Sequence, residues 1–111
     1  MSKQNPQFMA GVPELLVLRL LASREMYGYE LAAATQVATG EALKLGEGVL
    51  YPLLHSLEAR GELRARKRVI EGRTRVYYSV TASGRRKLAK LTADWQRVAD
   101  GVRVILESPV Q

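Results

Sequence analysis

The stretch GEGVLYPLLHSLEARG, Gly46–Gly61, sets the fold of this chain. Leu50, Leu53, Leu54 and Leu57 fall at i, i+3, i+4 and i+7, which is one apolar stripe down a helix. Val49, Tyr51, Pro52, His55 and Ser56 lie outside that stripe and are expected to face elsewhere. None of them is acidic, and His55 is the chain's single histidine. Pro52 lacks a backbone N–H and is accommodated only near a helix start. The helix is therefore expected to begin at Glu47–Gly48, with Tyr51 in its first turns. Its outer face is small, hydroxylated and flat toward the N-terminal end, a shape that can approach a polyanion closely.

Composition narrows the chemistry around this helix. A chain of 111 residues suits one small domain with at most one appended helix. With 47% apolar residues it can bury a small core. The absence of cysteine excludes disulfides, iron–sulfur clusters and cysteine-based zinc sites. A single histidine, His55, rules out a multi-histidine metal site within one chain. The longest nearly apolar run, Leu15–Ala22, is broken by Arg19 and is too short to span a bilayer. Residues 1–12 carry only Lys3 as a charge and have no signal-peptide layout. These features predict a cytoplasmic chain without membrane contact. Its net charge of +6 is unevenly placed. Residues 60–90 hold eleven Lys and Arg against Glu62 and Glu71, a net of +9, whereas the other residues hold six against nine, a net of −3. A basic patch directly after the candidate reading helix points to nucleic acid.

Outward from the central stretch, the periodicities change in order. Residues 1–12 read as a frayed start, and Pro13 as the first position of an apolar helix to Ser23, with Glu14 at the positive end of its dipole. A short connection, Arg24–Gly28, leads to a second helix, Tyr29–Ala38, whose Ala32-Ala33-Ala34 run permits close approach by another helix; Gly40 follows as its C-terminal stop. After Gly61, Leu63–Ile70 and Arg75–Val80 alternate with period two. The turn Glu71-Gly72-Arg73-Thr74 joins them as a hairpin. Thr81 is a good N-cap for a last helix from Ala82 to about Leu106. In it Leu88, Leu91, Trp95, Val98, Val102 and Ile105 form a heptad seam suited to a long partner helix. The order α-α-α-β-β-α is that of a winged helix-turn-helix, mainly α with a β-hairpin wing. It divides into a DNA-binding unit (1–80), a dimerisation helix (81–107) and a tail (108–111).

The segments ELLVLRLLA (14–22), MYGYEL (26–31), GVLYPLLHSLEARGEL (48–63) and EGRTRVYYSVTASG (71–84), with the Trp95-bearing last helix, cover about residues 8–106. Together they resemble the PadR-like transcriptional regulators, specifically the small subfamily with one C-terminal dimerisation helix. The resemblance implies a dimeric DNA-binding repressor, often relieved by a small ligand or stress signal. Family members often carry Ser or Thr just before the LYP motif, where this chain has Glu47 and Val49.

The expected DNA-binding residues are Gly48, Val49, Tyr51 and His55 on the reading helix, Arg73 and Arg75 on the wing, and Arg64, Arg66 and Arg68 as additional charge toward the phosphates. A dimer would set two reading helices about 34 Å apart, matching an inverted-repeat operator on double-stranded DNA. Trp95 serves as a seam residue, and two such rings could wall a gap for a flat aromatic or hydrophobic effector, with Gln96 and Asp100 nearby. No catalytic constellation or cofactor site is discernible. A protein-interaction or sensor module on the same fold is the competing reading, supported by Glu47 and Val49 and opposed by the basic wing.

Overall fold

A computed structural model describes residues 11–110, so most of the irregular start expected for residues 1–12 lies outside the described residues. The elements are α1 (Val12–Ser23), β1 (Met26–Tyr27), α2 (Gly28–Ala38), α3 (Glu47–Ala59), β2 (Leu63–Ile70), β3 (Arg73–Val80) and α4 (Ala82–Glu107). The expected order holds with one addition. The connection after α1 contains β1, which pairs antiparallel with β3 through Met26↔Tyr78 and Tyr27↔Tyr77. A three-stranded sheet of order β1-β3-β2 results.

The core explains which face each element turns inward. Val17, Leu18 and Leu21 of α1 meet Leu31 of α2, Leu50, Leu54 and Leu57 of α3, and Leu63 and Tyr78 of the sheet. Val49 and Leu53 flank the α3 stripe and are packed against the same cluster. Val49 therefore does not face outward as expected: it stands one turn before Leu53 and shares its side of the helix. On α2, Ala32 and Ala34 border the core while Ala33 is exposed. Buried Thr35 is satisfied locally, its hydroxyl donating to the Leu31 carbonyl at 3.0 Å.

The close approach to α2 occurs one turn earlier than the alanine run, at Gly28. A Cβ there would stand 2.7 Å from the Tyr51 ring. The end of α2 follows the expected chemistry: Gly40 has φ +60°, and the next N–H, of Glu41, donates to the Gln36 carbonyl at 2.8 Å.

The hairpin is tighter than its sequence suggested. Pairing runs to Ile70↔Arg73, leaving Glu71 (φ +53°) and Gly72 (φ +78°) as the two turn residues. Both left-handed, they match the twist of the strands. Glutamate at such a position is strained by about 1 kcal/mol.

Thr81 joins wing to α4. Its hydroxyl accepts from the Gly84 N–H at 3.1 Å and donates to the Gly61 carbonyl at 2.7 Å. Gly84 is buried, and a Cβ there would run into the Glu62 carbonyl and the Val80 side chain. Beside it, Arg60 and Lys87 each contact both Glu14 and Glu62 at 3.3–3.7 Å. This four-charge junction ties α1, the end of α3, the start of β2 and α4 together.

Replacing Gly84 with Ala drives a Cβ into backbone that cannot yield. The expected loss is about 1–3 kcal/mol of folding stability, the range of an overpacked core site, read by urea denaturation. Glu71→Gly should act in the opposite direction, gaining about 0.5–1 kcal/mol by relieving the left-handed strain.

Candidate nucleic-acid interface

With the leucine stripe buried, α3 presents Gly48, Tyr51, Pro52, His55 and Ser56 outward. Glu47 opens the helix, is exposed and provides no cap; Gly46 holds the N-cap position without a side-chain bond. Tyr51 is 37% exposed. Its ring leans on Gly28, so one side is seated and the other borders a cleft of about 320 Å³. Tyr27 and Gly28 line that cleft from one side, Tyr51 and His55 from α3, and Arg75, Val76 and Tyr78 from β3. Burial pushes the Tyr78 hydroxyl above its ordinary range, and the nearby Glu58 and Tyr51 add to the shift.

The outer face of the sheet carries a second layer. The Arg75 guanidinium lies 4.4 Å over the Tyr27 ring, and that of Arg68 lies 4.5 Å over Tyr77. The two rings meet edge to face at 5.4 Å. Such contacts contribute roughly 0.5–1 kcal/mol each where exposed. Glu25, from the α1–α2 connection, accepts from Arg66 at 2.7 and 3.0 Å and from Arg68 at 2.9 Å. The Arg66 hydrogen bond leads in holding the Glu25 carboxyl below the usual carboxylate range.

Of the arginines expected to meet DNA, three are thus engaged within the chain: Arg66 and Arg68 on Glu25, and Arg75 on Tyr27. Among the described residues, no acidic side chain pairs with Arg64, Lys67 or Arg73, all exposed. Arg60, Lys87 and Lys90 of the basic segment also meet carboxylates, those of Glu14, Glu62 and Asp94. The charge counted along the sequence is therefore partly compensated in space, by Glu14, Glu25 and Asp94 from outside the basic segment. Sequence reasoning did not find Glu25, Tyr27 or Gly28 as parts of this surface. Its only signal for the latter two was their place in the MYGYEL segment.

Along α4, Leu88 and Leu91 are packed against the chain's own core. Trp95 (47% exposed), Val98, Val102 and Ile105 are exposed. A groove of about 270 Å³ lies between Gly11, Val12 and Leu15 and the α4 residues Leu91, Asp94, Trp95 and Val98. Its polar lining residue is Asp94, rather than Gln96 or Asp100. Lys90 at 2.9 Å and Arg97 at 3.3 Å hold the Asp94 carboxyl below its ordinary range. Asp100 instead pairs with Arg103.

A helical trio, a short third strand and a basic wing around one exposed helix face agree with the comparison to known families. The family model for the PadR-like transcriptional regulators matches residues 17–90. The chain belongs to the PadR-like family of transcriptional regulators. A transcriptional regulator of Mycobacterium tuberculosis is 35% identical over 100 residues, which span 90% of this chain and 88% of that protein. The crystal structure of a PadR family transcriptional regulator from Eggerthella lenta superimposes with a TM-score of 0.78 at 31% identity, covering 93% of this chain and 88% of that one. A PadR-like regulator from Bacillus cereus gives 0.82 at 27% identity, covering 94% and 100%.

Five of the six positions of the PadR-like segment MYGYEL have a physical role. Met26 and Tyr27 form β1, Gly28 admits the Tyr51 ring, Glu30 accepts from the Tyr27 N–H at 3.3 Å, and Leu31 is buried. Tyr29, by contrast, is 73% exposed at the start of α2.

Because its folded carboxyl titrates low, Glu25 contributes stability above its unfolded pKa of about 4.3 and loses it as pH falls through the lowered value. The stability difference between wild type and Glu25→Gln should thus be present at pH 7 and close progressively below about pH 4, as followed by urea unfolding at each pH.

Proposed function

We propose that this PadR-like chain is a dimeric, sequence-specific DNA-binding repressor of the cytoplasm, whose affinity for DNA is changed by a small hydrophobic ligand at the dimer interface. The observation that carries the reading is the outward face of α3, non-acidic from Gly48 to Ser56, set across a cleft from a basic wing. The N-terminal half of α3 enters the major groove with Tyr51 and His55 nearest the bases, while Gly48 allows close backbone approach. Arg73 at the wing tip and Arg64 on β2 meet phosphates, which fix register without carrying sequence information. Residues 1–80 serve as the DNA-binding unit and residues 81–107 as the dimerisation helix, leaving 108–111 as a tail.

Dimerisation is supported by the uncovered seam Trp95, Val98, Val102 and Ile105 on α4. Leu88 and Leu91 begin the same seam but face their own core, so the partner helix meets mainly the distal half. Among the described residues, nothing beyond its own helical turns stands within 4 Å of where a Cβ at Gly101 would lie, which leaves room for close approach by a second copy. The groove beside Trp95 is the site proposed for a flat hydrophobic effector. As a transcriptional regulator the chain acts by binding and not by catalysis.

Fluorescence anisotropy on a duplex from upstream of its own gene, with a scrambled duplex as control, tests this reading across a salt series. The expected result is preferential binding to the upstream duplex. Arg73→Ala should weaken binding to both duplexes and flatten the log–log salt slope by about 0.9, the loss of one phosphate contact. Equal, steeply salt-dependent binding to both duplexes would mean that the target lies elsewhere, and no binding at low salt would favour a protein-interaction module. Trp95→Ala should weaken self-association roughly 30-fold, as loss of a buried aromatic anchor costs about 2 kcal/mol or more, read by sedimentation equilibrium.

A further inference from the structure

We propose that Glu25 is a specificity-determining residue, which withholds Arg66 and Arg68 from sequence-independent contact with DNA phosphates. The inference rests on the DNA-binding reading above and concerns the regulation of that surface. Arg64, Arg66 and Arg68 stand at alternate positions of β2, on one face of the sheet and about 7 Å apart in succession. Free, they would form a row of three guanidiniums, a strong and undiscriminating ligand for a polyanion. Glu25 breaks the row. Its carboxylate takes Arg66 and Arg68 together at 2.7–3.0 Å and leaves Arg64 outside the cluster.

Two features make Glu25 more than a passing surface partner. It directly precedes β1, whose Met26↔Tyr78 pairing fixes the backbone against the middle strand. Arg68 is also held from its flat side by Tyr77, and Tyr77 meets Tyr27. Tyr27 in turn carries Arg75, which lines the cleft beside Tyr51 and His55. The clamp is therefore one end of a continuous layer whose other end is the proposed reading surface. Phosphate contacts strengthen binding to every sequence alike. Holding two of them back lowers non-specific affinity while leaving the contacts of α3 untouched, and the ratio between right and wrong sites rises.

The test uses the full chain as wild type, Glu25→Gln, Arg66→Gln/Arg68→Gln, and the triple variant. Anisotropy is measured on a fluorescein-labelled random-sequence duplex and on the upstream duplex, from 50 to 200 mM salt. Glu25→Gln is expected to steepen the salt slope on the random duplex by about one to two units. It should raise random-duplex affinity roughly 3- to 10-fold at low salt, more than on the upstream duplex. The arginine double variant should bind like wild type, and the triple variant should lose the gain. A Glu25→Gln slope equal to wild type would overturn the inference, as would weaker binding by that variant. Weakened binding by the arginine double variant would also overturn it, because those arginines would then already be contacting DNA. If wild type binds neither duplex at low salt, the DNA-binding reading itself falls, and the inference with it.

Discussion

Burial of the α3 leucines is the constraint on which the rest of the structure depends. Leu50, Leu54 and Leu57 are fully enclosed, with Val49 and Leu53 along the edges. Each enclosed leucine contributes on the order of 1.5–3 kcal/mol, so rotating α3 about its axis is prohibitive. One face is committed to Val17, Leu18, Leu21 and Leu31, and the opposite face is fixed in consequence. Between Gly48 and Ser56 the helix reads outward with what remains, which is Gly48, Tyr51, Pro52, His55 and Ser56. The same packing brings Tyr51 onto Gly28, so the exposed surface is braced from below by the second helix.

What was legible in the sequence followed from local periodicity. The α3 stripe, the alternating strands, the Thr81 cap and the stop at Gly40 each depend on residues within a few positions of one another. The misses share a different origin. β1 is two residues long and has no room for an alternating signal. Val49 borders the stripe, where a single turn of the helix decides between core and surface. Glu25 meets its arginines 41 and 43 residues away in the chain, a pairing that exists only once β1 has joined the sheet. The basic segment was visible as a sum of charges, but the carboxylates folding onto it from α1, from the α1–α2 connection and from α4 were not.

The last helix shows the same division within one element. Its seam has a single heptad rhythm, yet the rhythm serves two surfaces: Leu88 and Leu91 close the chain's own core, and from Trp95 onward the seam residues are exposed. Periodicity identifies an apolar side of a helix without distinguishing what lies against it. Trp95 stands at the changeover, facing α1 across the groove while remaining half open.

The junction of Glu14, Arg60, Glu62 and Lys87 has a consequence for how such a chain can diverge. Each cation is shared by two carboxylates, and Glu14 and Glu62 are only 20% and 12% exposed at their side chains. Loss of one member strands a half-buried charge, whereas exchanging the whole set for well-fitted apolar side chains can be neutral or favourable. Stepwise drift through single replacements therefore crosses a region of poor stability. The four positions are thus coupled energetically although they lie on four separate segments of the chain.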